Sequence, residues 1–372
     1  MILSLLPSRI LSQPIVLAYL FLLPWSSVMA DAAFVRVDAD LVSRHYSDPP
    51  SIRLALSDDG MTLAAGALKT EGQSDVRIYR LVDREWQYDR RLTDENPGDQ
   101  FGAAVALSAN GRILAVGAPG NDDNGIDSGH VKVFERDSSG WTLLGTPIVG
   151  WAPGDRSGTA VSVNADGSLV LIGAPLNDGK GTDAGNVRIY RFNDTNWQLA
   201  SPDIDGTLAE DESGFSVSFN NMGNVLAIGS PRHQGVGHTR VFTDEAGTWQ
   251  LTGEAITGGT SGGRGGHSVS LNGNGDIVAI GEPVVSSNGT GNVRVFRRVA
   301  DHWQQLGADI ESLNVGDRFG WRVRLNDVGN VLVVSAPDSV SEAGLASYFM
   351  LVEGNWQPLG GVLSGLAGEE LV

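Results

Sequence analysis

The 372 residues include 49 glycines, about 13% against a usual ~7%, with 41% hydrophobic residues and no cysteine. Lack of cysteine excludes a disulfide framework, thiolate metal sites and cysteine catalysis. The formal net charge of −18, or −18 − 1 = −19 without a leader whose charged side chain is Arg9, disfavours sequence-independent binding to nucleic acid or anionic lipid, since both need a positive surface.

In chain order, Arg9, an apolar run from Ile15 through Leu23, and Val28-Met29-Ala30 form the pattern of a signal peptide over residues 1–30, with cleavage expected after Ala30. Pro24 and Ser26-Ser27 cut the run short of the ~20 apolar residues that a membrane anchor needs. The mature chain is therefore expected outside the cytoplasm: secreted, or periplasmic in a Gram-negative bacterium. The remainder, residues 31–372, reads as a single domain.

Self-similarity organises that domain. A tryptophan recurs at Trp86, Trp141, Trp197, Trp249, Trp303 and Trp356, with spacings of 55, 56, 52, 54 and 53. In phase with it runs a second marker: Leu63 to Ala67, Leu114 to Pro119, Val170 to Pro175, Leu226 to Pro231, Val278 to Pro283 and Leu332 to Pro337. In the second repeat, Val105-Ala106-Leu107 turns at Asn110-Gly111 into Ile113 to Val116, a glycine-turned hairpin. Gly60, Gly167, Gly223, Gly275 and Gly329 occupy the equivalent turns. A third strand is expected at Val131 to Phe134, by its alternation of apolar and polar residues, and a fourth at Trp141 to Leu144. Each repeat is thus a four-stranded antiparallel unit. The fold class that follows is all-β, a β-propeller of six blades with seven as the alternative, each tryptophan packing between blades.

The pair Phe101-Gly102 followed by Gly117-Ala118-Pro119 resembles the FG-GAP repeat of integrin α-subunit propellers and of many secreted proteins. Phe319-Gly320 repeats the motif, while Ser157-Gly158 and Gly214-Phe215 depart from it. The resemblance implies a propeller without fixing a function. Integrin propellers hold calcium in an acidic a–b connection. Here those connections are compressed, as in Ser57 to Gly60 and Asn164 to Gly167, so those metal sites do not transfer. For ring closure, residues 34–50 are expected to add a strand to a blade edge.

With strands named a to d outward from the axis, the a–b and c–d turns emerge on one face, and the b–c and d–a loops on the other. Variable polar loops on the latter face suit binding. Asp122, Asp123 and Asp127 in one b–c loop, and Asp178 and Asp183 in the next, are candidate calcium ligands, because calcium takes several hard oxygens from a flexible loop; the same residues are ordinary turn formers. His233 and His238 share a b–c loop and could take a metal, although surface polar residues are the commoner reading. Gly262 to Gly266 reads as flexible linker. Asp99, Asp155, Asp211 and Asp317 recur in d–a loops, either as loop caps or as the paired carboxylates of a glycosidase. No nucleophile elbow, zinc-protease motif or phosphate loop occurs. Asn193 and Asn288 head N-glycosylation sequons, relevant in a eukaryote.

The leading expectation is a non-enzymatic, monomeric binding or adhesion module for an extracellular protein or glycan. The alternatives are a secreted carbohydrate-active hydrolase and a structural surface scaffold.

Overall fold

A computed structural model describes residues 52–68, 74–284, 289–312, 314–339 and 344–364. The expected leader, the strand at residues 34–50 and Asn288 lie outside the described residues. The chain forms six antiparallel sheets arranged as a ring, and in every sheet strands a, b, c and d follow one another in chain order. In blade 2 these are a, Ala104–Leu107; b, Ile113–Ala118; c, His130–Asp137; and d, Gly140–Leu143. Strands a and b match the expected positions. Strand c starts one residue earlier than expected and ends three later.

The outer strand holds an unexpected feature. In blades 2 to 6 it is broken, and a two-residue piece, Ile148–Val149 in blade 2, pairs with strand c beyond the break. Gly145, at φ 73°, makes the detour. Blade 1 has one residue fewer between its tryptophan and the corresponding apolar residue, Leu92, and its d strand runs unbroken from Glu85 to Thr93 with a bulge.

The a–b turns carry a uniform structural duty. Their glycines, Gly60, Gly111, Gly167, Gly223, Gly275 and Gly329, all have φ between 63° and 79°, a region that a side chain disfavours. In each turn a Ser or Asn side chain accepts the amide that opens strand b, as Ser108 Oγ does from Ile113 N at 3.0 Å and Asn164 Oδ1 from Leu169 N at 2.9 Å. The turns also bond to one another: Asp59 N donates to Ala109 O, Ala109 N to Ala165 O, Ala165 N to Asn221 O, Asn221 N to Gly273 O, and Gly273 N to Asp327 O. This chain of backbone bonds ties the blades together around the axis.

Apolar clusters lie between blades, because each sheet has two faces and only its neighbours can cover them. Trp141 packs with Val76, Ile78 and Leu92 of blade 1 and with Leu114 and Val116 of its own blade. The indole Nε1 groups of Trp197, Trp303 and Trp356 each donate at 2.9 Å to a backbone carbonyl of the preceding blade: Leu144, Thr252 and Leu306 respectively. The inter-blade role expected of the tryptophans holds at these positions.

Candidate functional site

The b–c and d–a loops of blades 2 to 4 form a braced platform. In blade 2, Asp122 Oδ1 accepts Asp127 N at 2.8 Å; in blade 3, Asp178 Oδ1 accepts Asp183 N at 2.9 Å. Asp127 and Asp183 sit at φ 53° and 51°, so these carboxylates hold strained turns in place. Asp127 also pairs with Arg156 at 3.3 Å, and Asp123 with His130 Nδ1 at 3.3 Å. Among the described residues these five aspartates do not form a group of three clustered metal donors.

The recurring d–a aspartates are loop caps. Asp99, Asp155, Asp211 and Asp317 are buried. Asn121 Nδ2 donates to Asp99 at 2.7 Å, and Asn177 Nδ2 to Asp155 at 3.0 Å. Asp317 accepts Phe319 N at 3.0 Å and the Ser312 hydroxyl. Burial pushes the Asp155 carboxyl up from its ordinary value, against the pull of Asn177 and Arg188. Each carboxylate has its own partners in a separate loop, as a repeated structural role requires.

Blade 4 departs from this scheme. Its b–c loop is shorter, and His233 stands where the first two loops have Asn121 and Asn177. His233 Nδ1 meets Asp211 Oδ1 at 2.9 Å. His238 opens strand c and is 3% exposed, so it is a buried strand residue and not a surface loop residue. The two imidazoles stack, with centroids 3.8 Å apart. Burial, with smaller contributions from His233 and Arg240, pulls the His238 pKa down to about 3. Burial opposes the charge on Asp211, yet bonds from Thr207, the Leu208 amide and His233 hold its pKa below the ordinary value. The sequence left a signal for this constellation: aligning the b–c loops by their flanking strands superposes His233 on Asn177 and His238 on Asn186.

Two buried ion pairs were not foreseen. Glu282 replaces the alanine of the repeat motif in blade 5 and pairs with Arg294, whose Nε lies 2.6 Å away. Asp94 accepts His130 Nε2 at 2.8 Å and also pairs with Lys132. Nothing in the spacing of these residues marks them as pairs, because their partners come from different strands.

Apolar side chains crown the platform. Ile126, Trp151 and Leu208 are 76%, 51% and 46% exposed. The Arg188 guanidinium lies 3.8 Å from the Trp151 ring centroid and is itself fixed by Asp203 at 2.9 Å. Asn124 Nδ2 donates to Gly150 O at 3.0 Å and to Trp151 O at 2.8 Å, locking that loop to its neighbour.

The glycine motif is explained by how blades meet. Gly102 adopts φ 95°, and its carbonyl lies against the Cα of Gly66 in blade 1; a Cβ at Gly66 would stand 3.0 Å from the Gly102 carbonyl carbon, with the oxygen nearer still. The same contact joins Gly117 to Gly158, Gly173 to Gly214, Gly229 to Gly266, and Gly281 to Gly320. The two glycines of the FG-GAP motif are therefore partners across these five interfaces. A family model described as the FG-GAP repeat matches residues 88–134. The chain is a six-bladed β-propeller with a match to the FG-GAP repeat at those residues. The contacts align Ser213-Gly214, not Gly214-Phe215, with Phe101-Gly102, and they make Gly265-Gly266 a packed interface, not a flexible linker.

No curated protein matches the sequence. Among solved structures the propeller is similar to the Pseudomonas aeruginosa periplasmic gluconolactonase PpgL, with 16% identity over 89% of each chain and a TM-score of 0.60. It is also similar to a Bacteroides uniformis protein given as a 6-phosphogluconolactonase, with 14% identity over 85% of each chain and a TM-score of 0.62. At these identities the likeness is one of fold. No helix among the described residues is long and apolar enough to cross a membrane.

Proposed function

We propose that this propeller is an exported binding module whose b–c and d–a loop face, over blades 2 to 4, recognises a glycan or a protein partner outside the cytoplasm. The observation that carries the reading is Trp151: an indole 51% exposed and backed by a guanidinium whose position is fixed by Asp203. A rigid, half-exposed aromatic flanked by apolar and acidic loops offers contact area at low ordering cost, and aromatic anchors of this kind dominate recognition energies. The a–b turns, by contrast, are short and use backbone groups to hold the ring.

Binding of the purified protein to a panel of soluble polysaccharides and glycoproteins, beside its Trp151→Ala variant, tests this. Retention of a ligand by the wild type, lost in the variant without a change in melting temperature, is the expected outcome; undiminished retention by the variant contradicts it. A hydrolase is the second reading, favoured by the names of the two solved structures and by the His233–Asp211 pair. Turnover of gluconolactone in the same preparation would replace the binding reading with that one.

A further inference from the structure

We propose that Asp211, His233 and His238 form a binding site for a single divalent transition-metal ion of the zinc class. The site does not rest on the recognition reading above. One donor atom from each residue lies within 4.8 Å of the other two. Three segments bring them together: the d–a loop after blade 3, the b–c loop of blade 4, and the first residue of strand c in that blade.

The second observation is an orphan. His238 Nε2 is buried and has no hydrogen-bond partner, a condition that destabilises the fold unless something fills the position. The repeat supplies an internal comparison. In blade 2 the same three positions are Asp99, Asn121 and His130; there Asn121 caps Asp99, and both His130 nitrogens are engaged, by Asp94 and Asp123. In blade 3 they are Asp155, Asn177 and Asn186, and both Asn side chains donate to aspartates. An asparagine at the loop position is therefore sufficient for the structural task. The strand-c position also leaves a buried atom without a partner in blade 3, at Asn186 Oδ1, but blade 4 alone of these three puts histidine at both variable positions and so makes that atom a ring nitrogen able to bind a transition metal.

The donor chemistry selects the ion. Two neutral imidazoles and one carboxylate suit zinc, at ~2.0–2.2 Å per bond with a fourth position open to water or ligand, and do not suit calcium or magnesium, which take oxygen. Asp211 Oδ2 is fixed by Thr207 N at 3.1 Å, Thr207 Oγ1 at 2.7 Å and Leu208 N at 2.8 Å, leaving Oδ1 directed at His233. Such outer bonds orient a metal ligand. Of the positive groups nearby, Arg232 pairs with Glu212 at 3.1 Å; Arg240 Nη2 bonds Asp205 O at 2.7 Å and Ser213 Oγ at 3.0 Å, and the Asp211 carboxylate opposes its charge at the site.

The test is calorimetric titration of the chelator-treated full chain with Zn2+, together with the visible spectrum on Co2+ addition. The wild type should take up one equivalent and show the absorption of nitrogen-ligated cobalt. The His233→Asn/His238→Asn variant rebuilds the side-chain set of blade 3 and should bind at least ~100-fold more weakly, whereas His130→Asn should bind as the wild type does. Zinc should also protect His233 of the wild type, the more exposed of the two imidazoles, from diethylpyrocarbonate, a readout that needs no variant to fold. Sub-stoichiometric uptake by the wild type, equal affinity in the double variant, or an unprotected His233 would each overturn the proposal.

Discussion

Gly117→Ala isolates the contact that defines the repeat. A Cβ at Gly117 would stand 2.9 Å from the Gly158 carbonyl carbon, with the oxygen nearer still, and 3.3 Å from the Gly158 Cα. All three are backbone atoms, so no side-chain rotation relieves the clash and blades 2 and 3 must separate locally. Overpacking of this kind costs about 1–3 kcal/mol, and the stiffening of the unfolded chain by alanine returns only ~0.4–1 kcal/mol. The net loss should be about 1–2 kcal/mol, which for a large domain is a fall of about 2–8 °C in melting temperature. Gly98→Ala is the control, since nothing lies within 4 Å of a Cβ there; its effect should stay within ~0.5 kcal/mol. Urea melts followed by tryptophan fluorescence measure both. A Gly117→Ala protein as stable as the wild type, or a Gly98→Ala protein equally weakened, would refute the account of the motif.

Two further outcomes are expected. Trp141 is 4% exposed between blades 1 and 2, so Trp141→Ala should cost ~3–5 kcal/mol in the same melts, while Trp141→Phe, which gives up chiefly the 3.2 Å bond to Asp89, should cost much less; equal losses would contradict inter-blade packing. His267, packed between Phe215 and Trp321, has its pKa lowered from 6.5 to about 3 by burial first and then by Arg322, Arg264 and Arg53. The unfolded chain takes up that proton below pH 6.5 and the folded chain does not, so this contribution is intact above 6.5 and is lost as pH falls toward 3. His267→Gln should flatten the acid limb of the stability curve, and an unchanged slope would be the contrary result.

The repeat made the architecture legible, and its limits explain what was missed. Tryptophans and glycine-turned hairpins recur because every interface asks the same packing of them, so their phase alone gave six blades and the order of the strands. The broken outer strand escaped because two residues such as Ile148–Val149 are too short to display alternation. The Asp211–His233–His238 group was hidden by a loop-length change: eleven residues separate strands b and c in blades 2 and 3 but seven in blade 4. His238 read as loop for a further reason, shared with His130: strand c begins one residue before its alternating pattern does. The apolar crown was hidden differently, since exposure of Ile126 or Trp151 depends on how neighbouring blades stack and not on local pattern.

The sixth blade marks where the ring's uniformity ends. At the first position of strand a facing the next blade, the repeats carry Ala104, Ala160, Ser216 and Ser268, each opposite a strand-b glycine, but blades 1 and 6 carry Arg53 and Arg322. Ser335 replaces the glycine opposite Arg322. The small residues permit the close approach of successive blades, and Ser268 Oγ accepts Val323 N across one such interface at 3.1 Å. Arg322 faces blade 1 with a bulky charged side chain instead: burial, with the Arg53 charge adding to it, pulls the Arg322 pKa down to about 9, so size and like charge oppose a close approach there. Among the described residues no apolar cluster joins blade 6 to blade 1, as one joins every other neighbouring pair, so Arg322→Ser, which installs the residue found at Ser216 and Ser268, should raise the melting temperature. Amide exchange should be fastest in blades 1 and 6 of the wild type and slow toward that of blades 3 and 4 in the variant. A lowered melting temperature, or exchange already uniform around the wild-type ring, would mean that the arginines seal the interface instead of straining it.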